Sequence, residues 1–457
     1  MTQTSLKSAP SPLAPVPFNV PPAHKTTLDN GLRVILFRDS RLPLTSFRLA
    51  FLTGDIHDPI DNIGLTSALA SMLTEGTENY SSLQLAEKVE RLGASLSASA
   101  SDDFTIISGS SLALYNSEIL GLLAEIVFTP TFPENELDLY RRNTIENLKF
   151  QRSQPNFLAG EQTARVIYGV HPYSRVSPTA EDVEKLRSST MSNFHRRQFV
   201  PNNAVLIVVG DLELDPMLEE IRDHFGDWPR GVVETNTPPA PPEMDKTRLT
   251  IVDRPGSAQS NIVLSNLAIP RNDPEYFPVL VMNQILGAGA SSRIFMNLRE
   301  EKGYTYGAYT RFDSKRLTGS FEATAEVRTA VTGESLNEFF FELGRIRDED
   351  VLQEELDDAK NFLTGVFPIR AETQEGMTNL IVTQELYGLA DDYLQSYREN
   401  VSAVTADDVK RVANRFIHPD RLSIVIVGDA NEILPQTEGR ADKAFVFDTD
   451  GNEIQSP

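Results

Sequence analysis

The chain has 457 residues, with 65 Asp and Glu against 42 Lys and Arg, giving a formal charge of −23. So acidic a surface argues against nucleic acid or an anionic membrane as partner, because phosphate recognition needs a basic face. Six histidines and no cysteine exclude disulfides, Cys-ligated zinc, iron–sulfur clusters and thiol nucleophiles, and leave any metal site to His, Asp and Glu.

Residues 1–25, rich in Pro and Ser, read as an extended, flexible arm without the apolar core of a signal peptide. The lack of cysteine suits the cytoplasm, or the periplasm if a signal peptide has been removed. No run approaches the roughly 18 consecutive apolar residues of a transmembrane helix, so membrane insertion is not expected. LRVILFRD, from Leu32, predicts a strand. GLTSALASMLTEGT, from Gly64, predicts a helix with the apolar stripe Leu65, Ala68, Leu69, Met72 and Leu73. FPENELDLYRRNTIENLKF, from Phe132, predicts a second amphipathic helix. TAEDVEKLRSSTMSNFHRRQF, from Thr179, reads as a helical run with a Thr cap and an acidic first turn. PNNAVLIVVGD, Pro201 to Asp211, then predicts a strand ending in a Gly-Asp turn.

After a Pro-rich stretch the order repeats. LTIVDRP from Leu249 answers LRVILFRD, and VLQEELDDAKNFLTGVF from Val351 answers the helix at Phe132. TADDVKRVANRFI from Thr405, followed by PDRLSIVIVGD from Pro419 to Asp429, answers the helix–strand pair before the linker. Three matching elements in one order indicate an internal duplication. The expected fold is α+β: two homologous α/β sandwich lobes, residues 26–229 and 248–438, with helices packed on mixed, mostly antiparallel sheets. A linker over 230–247 joins them in a clam-shell arrangement. Its PPAPP at Pro238 to Pro242 favours a stiff polyproline II spacer, which predicts lobes held at a distance rather than packed into one core. A tail, 439–457, carries one short apolar run, AFVFD.

The helix at Gly64, HPYSR at His171 and PNNAVLIVVGD together resemble the N-terminal half of a pitrilysin/insulinase-type peptidase, in its processing-peptidase-like branch. GAGASSRIFMNLREEKGYTYG, from Gly287, resembles the second half, and the likeness covers roughly residues 26 to 435. Active members carry an inverted zincin motif, H-x-x-E-H. Positions i and i+4 share one helix face, so two imidazoles clamp one zinc and the Glu between them serves as general base. Here those positions read Ser67, Ala68, Leu69, Ala70 and Ser71. The third ligand falls at Glu146 or Asn147. Serine hydroxyls are poor zinc ligands, and no pair among His24, His57, His171, His195, His224 and His418 has metal spacing. His57, in the DIHDP loop before the helix, reads as an exposed loop histidine. No metal is expected in this chain.

The resemblance implies that Arg299 and Tyr306 are the family's substrate-binding pair. A guanidinium and a phenol can hold a peptide carbonyl and stabilise its developing oxyanion, with Tyr304 the packing aromatic beside them. Gly287 and Gly289 match the family's glycine-rich loop, with a structural and a substrate-contact role both open; lacking Lys and Walker spacing, it is not a phosphate loop. The implied function is the non-catalytic, substrate-binding subunit of a heterodimeric zinc peptidase acting on extended peptides. A homologous partner would bring H-x-x-E-H and its zinc, and the chain alone could form a homodimer. The alternative is an inactive, core-protein-like structural or peptide-binding member with no peptidase partner.

Overall fold

The structure, a computed structural model, describes residues 20–233 and 237–455. Most of the arm predicted over 1–25, and three residues of the linker, lie outside them. The N-lobe runs β1 (His24–Thr27), β2 (Arg33–Arg38), β3 (Leu44–Phe51), α1 (Leu65–Met72), α2 (Ser82–Arg91), β4 (Ser95–Ala100), β5 (Thr105–Leu112), α3 (Asn116–Phe128), α4 (Glu134–Arg152), α5 (Pro155–Tyr168), α6 (Ala180–Lys185), α7 (Ser188–Gln198), β6 (Ala204–Gly210) and α8 (Leu214–Phe225). The C-lobe runs β7 (Arg248–Asp253), β8 (Gln259–Ala268), α9 (Tyr276–Leu286), α10 (Arg293–Phe295), β9 (Thr305–Ser314), β10 (Gly319–Arg328), α11 (Thr332–Asp348), α12 (Gln353–Arg370), α13 (Gln374–Leu386), α14 (Tyr393–Ala403), α15 (Ala406–Phe416), β11 (Ser423–Gly428), α16 (Ala430–Ile433), β12 (Ala444–Phe447) and β13 (Glu453–Gln455).

The duplication is visible strand by strand. One sheet has the order β1-β2-β6-β3-β5-β4 and the other β13-β12-β7-β11-β8-β10-β9. β2 lies parallel to β6 as β7 does to β11, and every other pairing within the shared five strands is antiparallel. The tail departs from expectation: β12 and β13 extend the C-lobe sheet beyond β7 instead of trailing off it. The helical run from Thr179 also departs. Thr179 caps α6 through a reciprocal bond with Asp182, but the helix stops at Leu186 and restarts as α7.

The lobes are not held apart. β6 and β11, AVLIVVG and SIVIVG, are buried at every position, so both faces of each sheet need an apolar cover. One face of each packs on its own helices, as Phe47, Leu49, Leu206 and Val208 do on the α1 stripe. The second face is covered by the other lobe. Leu158 and Ala159 of α5 pack on Val252, Val263, Val425 and Val427 of the C-lobe. In return Met377, Ile381 and Val382 of α13 join a cluster with Ile35, Val205, Ile207 and Val209 of the N-lobe. The linker lies along this assembly, with Pro242 seated against Gly169 and Lys246 paired to Asp442 at 2.7 Å. Its prolines route the chain; they do not space the lobes. Expressed alone, residues 26–229 would expose Ile35, Phe37, Val205, Ile207 and Val209. We expect that fragment to aggregate and co-expression with residues 248–455 to recover a soluble complex by size exclusion; a folded monomeric N-lobe would contradict this interdependence.

Candidate functional site

α1, the helix on which the resemblance places the metal motif, is a packing element. Leu65, Ala68, Leu69, Ala70 and Met72 are all buried, and Gly64 opens the helix in the left-handed region at φ 86°. Asp58 caps it, accepting from the Gly64 N–H at 2.7 Å, the Thr66 N–H at 2.9 Å and the Thr66 hydroxyl at 2.6 Å. The chemistry on its exposed side is that of hydroxyls already in use. Ser67 donates to both carboxylate oxygens of Asp55, at 2.9 and 3.0 Å, and Ser71 donates back to the Ser67 carbonyl at 3.0 Å. Burial, with Asp58 beside it, pushes the Asp55 carboxyl up to about 7. Burial likewise lifts Asp58 to about 6, against the opposing hydrogen bonds from Thr66.

The two candidate positions for a third ligand do not join this cluster. On α4 the stripe Leu137, Tyr140, Thr144 and Leu148 faces inward at helical spacing. Glu146 is on the opposite face, paired to Lys149 at 2.6 Å, and Asn147 is exposed. His57 is half-buried rather than exposed, its Nδ1 accepting from the Gly54 N–H at 3.0 Å. Burial lowers its pKa, and Arg316 lowers it further. Among the described residues no group of three His, Asp or Glu side chains could hold a metal ion. Two committed serine hydroxyls and an alanine do not fit zinc.

Arg299 and Tyr306 occupy two backbone irregularities placed side by side. The helix that α10 starts widens over Met296–Glu301 into a π-helix, with Lys302 N–H bonding the Asn297 carbonyl at 3.0 Å. Leu298 and Asn297 anchor it inward, Asn297 through Glu342 at 2.8 Å, and Arg299 is left on the outside. The Arg299 guanidinium lies 4.8 Å from the Phe295 ring and 3.4 Å from Glu300, with 45% of the side chain exposed. Gly303, at φ 64°, ends the turn and feeds β9. There Thr305 pairs with Val327 and Ala308 with Ala325, so Tyr306 and Gly307 oppose Glu326 alone. This bulge on an edge strand turns Tyr306 outward, 91% exposed. Tyr304 is half-buried and its phenol bonds Glu334, which raises its pKa. The two tyrosines thus differ sharply in environment.

Gly287 has a backbone reason to be glycine: a Cβ there would meet the Thr310 nitrogen at 2.5 Å, where the Gly287 carbonyl accepts the Thr310 N–H. Gly289 instead borders an open cavity of about 630 Å³ between the loop and α12. The far end of the β9–β10 hairpin crosses to the N-lobe. Lys315 pairs with Asp102, the Arg316 N–H bonds Asp103 at 3.0 Å, and Tyr173 of HPYSR donates to Asp103 at 2.5 Å. Burial alone would lower the Lys315 pKa, yet Asp102 and Asp313 drive it up. Neither this latch nor Asp55 was singled out from sequence; the paired acids flanking His57 in DIHDP were the visible signal.

Because Asp55 holds its proton more tightly folded than unfolded, its contribution to stability is full below its ordinary value of 3.8 and is lost as pH rises through about 7. Asp55→Asn should therefore exceed the parent chain in stability by about 1–2 kcal/mol near pH 8 and by much less near pH 5. Urea unfolding at the two pH values measures this; a difference that does not depend on pH would show that Asp55 is not the titrating group.

The architecture has known counterparts. Residues 33–175 match the model of insulinase (peptidase family M16), and residues 185–363 match that of the peptidase M16 inactive domain. An uncharacterized zinc protease, YmxG, of Bacillus subtilis is 22% identical over 409 residues, covering 89% of this chain and 98% of that one. The non-peptidase homolog YmxG of Helicobacter pylori is also 22% identical, covering 87% and 91%. A peptidase M16 inactive domain from Pseudomonas fluorescens superimposes with a TM-score of 0.81 at 26% identity, over 89% of this chain and 98% of that one. The periplasmic protease PqqL of Escherichia coli gives 0.75 at 17%, and the chain spans 52% of its length. Among the described residues no helix is long and apolar enough to cross a membrane. With both lobes matched in order, the chain belongs to the insulinase family, peptidase family M16, as a member consistent with a non-catalytic role.

Proposed function

We propose that this chain is the non-catalytic, substrate-binding subunit of a heterodimeric zinc peptidase that acts on extended peptides. A homologous partner supplies H-x-x-E-H, its zinc and the third ligand; this chain supplies Arg299 and Tyr306. The observation that carries the reading is Tyr306, a large aromatic raised on a bulge at a sheet edge with 91% of its surface in solvent. Burying an aromatic stabilises a fold and exposing it does not, so its placement asks for a ligand. Arg299, on the π-helix that packs against β9, brings a charge that pH does not remove. Together they can hold a substrate carbonyl and stabilise the oxyanion that forms there. The likeness of PqqL, about twice as long, to this fold in its first half supports a two-unit assembly.

The helix α1 supports the same division from the other side. Its packing face is intact, while Ser67 and Ser71 spend their hydroxyls on Asp55 and the helix backbone. The competing reading, a structural member with no peptidase partner, offers no use for an exposed arginine and tyrosine on paired irregularities. Purified alone, the chain should carry no stoichiometric zinc by elemental analysis and should not cleave unfolded peptide.

Co-expression with a homologue bearing H-x-x-E-H should yield a complex whose peptidase activity needs both chains. Arg299→Ala or Tyr306→Phe should then lower kcat by about 10²-fold or more, the usual loss for one oxyanion donor, with the complex still formed by size exclusion. A partner fully active by itself, or activity indifferent to both substitutions, overturns the reading.

A further inference from the structure

The N-lobe sheet changes character across the face turned toward α13. Over β2 and β6 that face is apolar and covered, with Ile35, Phe37, Val205, Ile207 and Val209 in the shared core. Over β3, β5 and β4 the same face carries polar side chains in register. One row is Ser46, Ser110 and Ser95; the next is Arg48, Ser108 and Ser97. The hydroxyls of Ser95 and Ser110 bond each other at 2.7 Å. A cavity of about 940 Å³ lies over these rows, walled on one side by the corner Glu372–Glu375 where α13 begins. Ligand sites commonly span about 300–1,000 Å³.

Arg48 is the group the fold does not account for. It is 8% exposed, yet among the described residues its guanidinium donates only to the Phe47 carbonyl at 3.0 Å and, at 3.5 Å, to Glu375. The Glu375 side chain is 73% exposed. A buried cation calls for a close, well-aligned counter-charge, and this contact is at the limit of one. Arg41, the other cation in the wall, is already taken by Asp39 through bonds of 2.8 and 2.6 Å. Glu375 sits in the first turn of α13, where the helix dipole favours it without Arg48, so an incoming anion can displace it. No aromatic ring lines the cavity, which removes the stacking surface that a base would use. Hydroxyls and an under-paired guanidinium suit main-chain amides and a carboxylate.

We propose that this cavity anchors the carboxylate of an extended peptide, with Arg48 as its charged partner and Ser46, Ser108 and Ser110 bonding the adjoining main chain. The inference rests on the reading of the chain as a peptide-binding subunit and adds a site on the lobe opposite Arg299 and Tyr306. It gives the N-lobe a binding task of its own.

The test uses the full chain and fluorescence anisotropy of N-terminally labelled peptides built from Ala, Ser and Val. One peptide ends in a free carboxylate, one in an amide, and one in an amide with an internal Glu. The free acid should bind about tenfold tighter than the amide, the worth of one charge-assisted bond, and Arg48→Gln should reduce that advantage to about twofold or less. Glu375→Gln, which removes the competing carboxylate, should tighten the free acid. If the Glu-bearing amide shows the Arg48-dependent advantage instead, the anchor stands and the carboxylate is a side chain's. Equal binding of all three peptides, or an advantage undiminished in Arg48→Gln, overturns the proposal. Should Arg48→Gln not fold, Glu375→Gln decides, and unchanged affinity for the free acid overturns it. Arg299→Ala keeps the two readings apart: it should abolish partner-dependent cleavage and leave the acid-to-amide ratio intact.

Discussion

Everything in this molecule depends on covering two sheets whose central strands are apolar on both faces. A central strand such as AVLIVVG buries every side chain, and one layer of helices covers only half of them. The duplicated fold solves this by exchange: α5 leaves its own lobe to lie on the C-lobe sheet, and α13 returns the favour. Neither lobe then has a complete core by itself. The exchange also fixes where the second face stays open. α13 packs on β6 and β3, and from Ser46 and Arg48 of β3 outward over β5 and β4 the sequence turns from Val and Ile to Ser and Arg.

The same constraint explains why α1 is a packing element. Leu65, Ala68, Leu69 and Met72 fill the N-lobe core with or without histidines on the other side. Losing them would cost a layer of packing, of order several kcal/mol for each large side chain removed. The fold therefore depends on the buried face of this helix, while Ser67 and Ser71 contribute only hydrogen bonds. What remains nearby is electrostatically awkward. Asp55 and Asp58 lie near each other, with neither carboxylate in an ion pair among the described residues, and burial drives both toward the protonated form. Ser67 and the helix N-terminus supply hydrogen bonds instead of charge.

Much of this was legible in the sequence, because duplication, strand order and cap residues are local or repeated signals. The Thr179 and Thr405 caps and the two Gly-Asp strand ends could all be read from neighbouring residues. Lobe exchange could not. Whether α5 packs on its own sheet or the other is a question of tertiary partner, and the helix PNFLAGEQTARVIY has the same apolar stripe either way. The linker misled for a related reason: PPAPP dictates a stiff extended path but not what that path lies against. At Tyr306 the sequence suggested a role through resemblance, whereas its exposure depends on a bulge set by pairing with β10, twenty residues further on. Arg48 was invisible, since LTSFRLAF looks like any buried strand until the register shows which residues stand beside it.

The hairpin β9–β10 links the surface around Tyr306 to the N-lobe. β9 has ten residues and spans roughly 30 Å at about 3.3 Å per residue. Tyr306 stands at one end. At the other, Lys315, Arg316 and Leu317 are held by Asp102, Asp103 and Tyr173 of the N-lobe. An edge strand clamped only through its inner neighbour would be free to splay, and an exposed phenol on it would be poorly aimed. Fixing the far end to the N-lobe converts the hairpin into a strut whose direction the N-lobe sets. The residues that do this come from the loop between β4 and β5 and from HPYSR. Rigidity there fixes the direction in which the hairpin presents Tyr306.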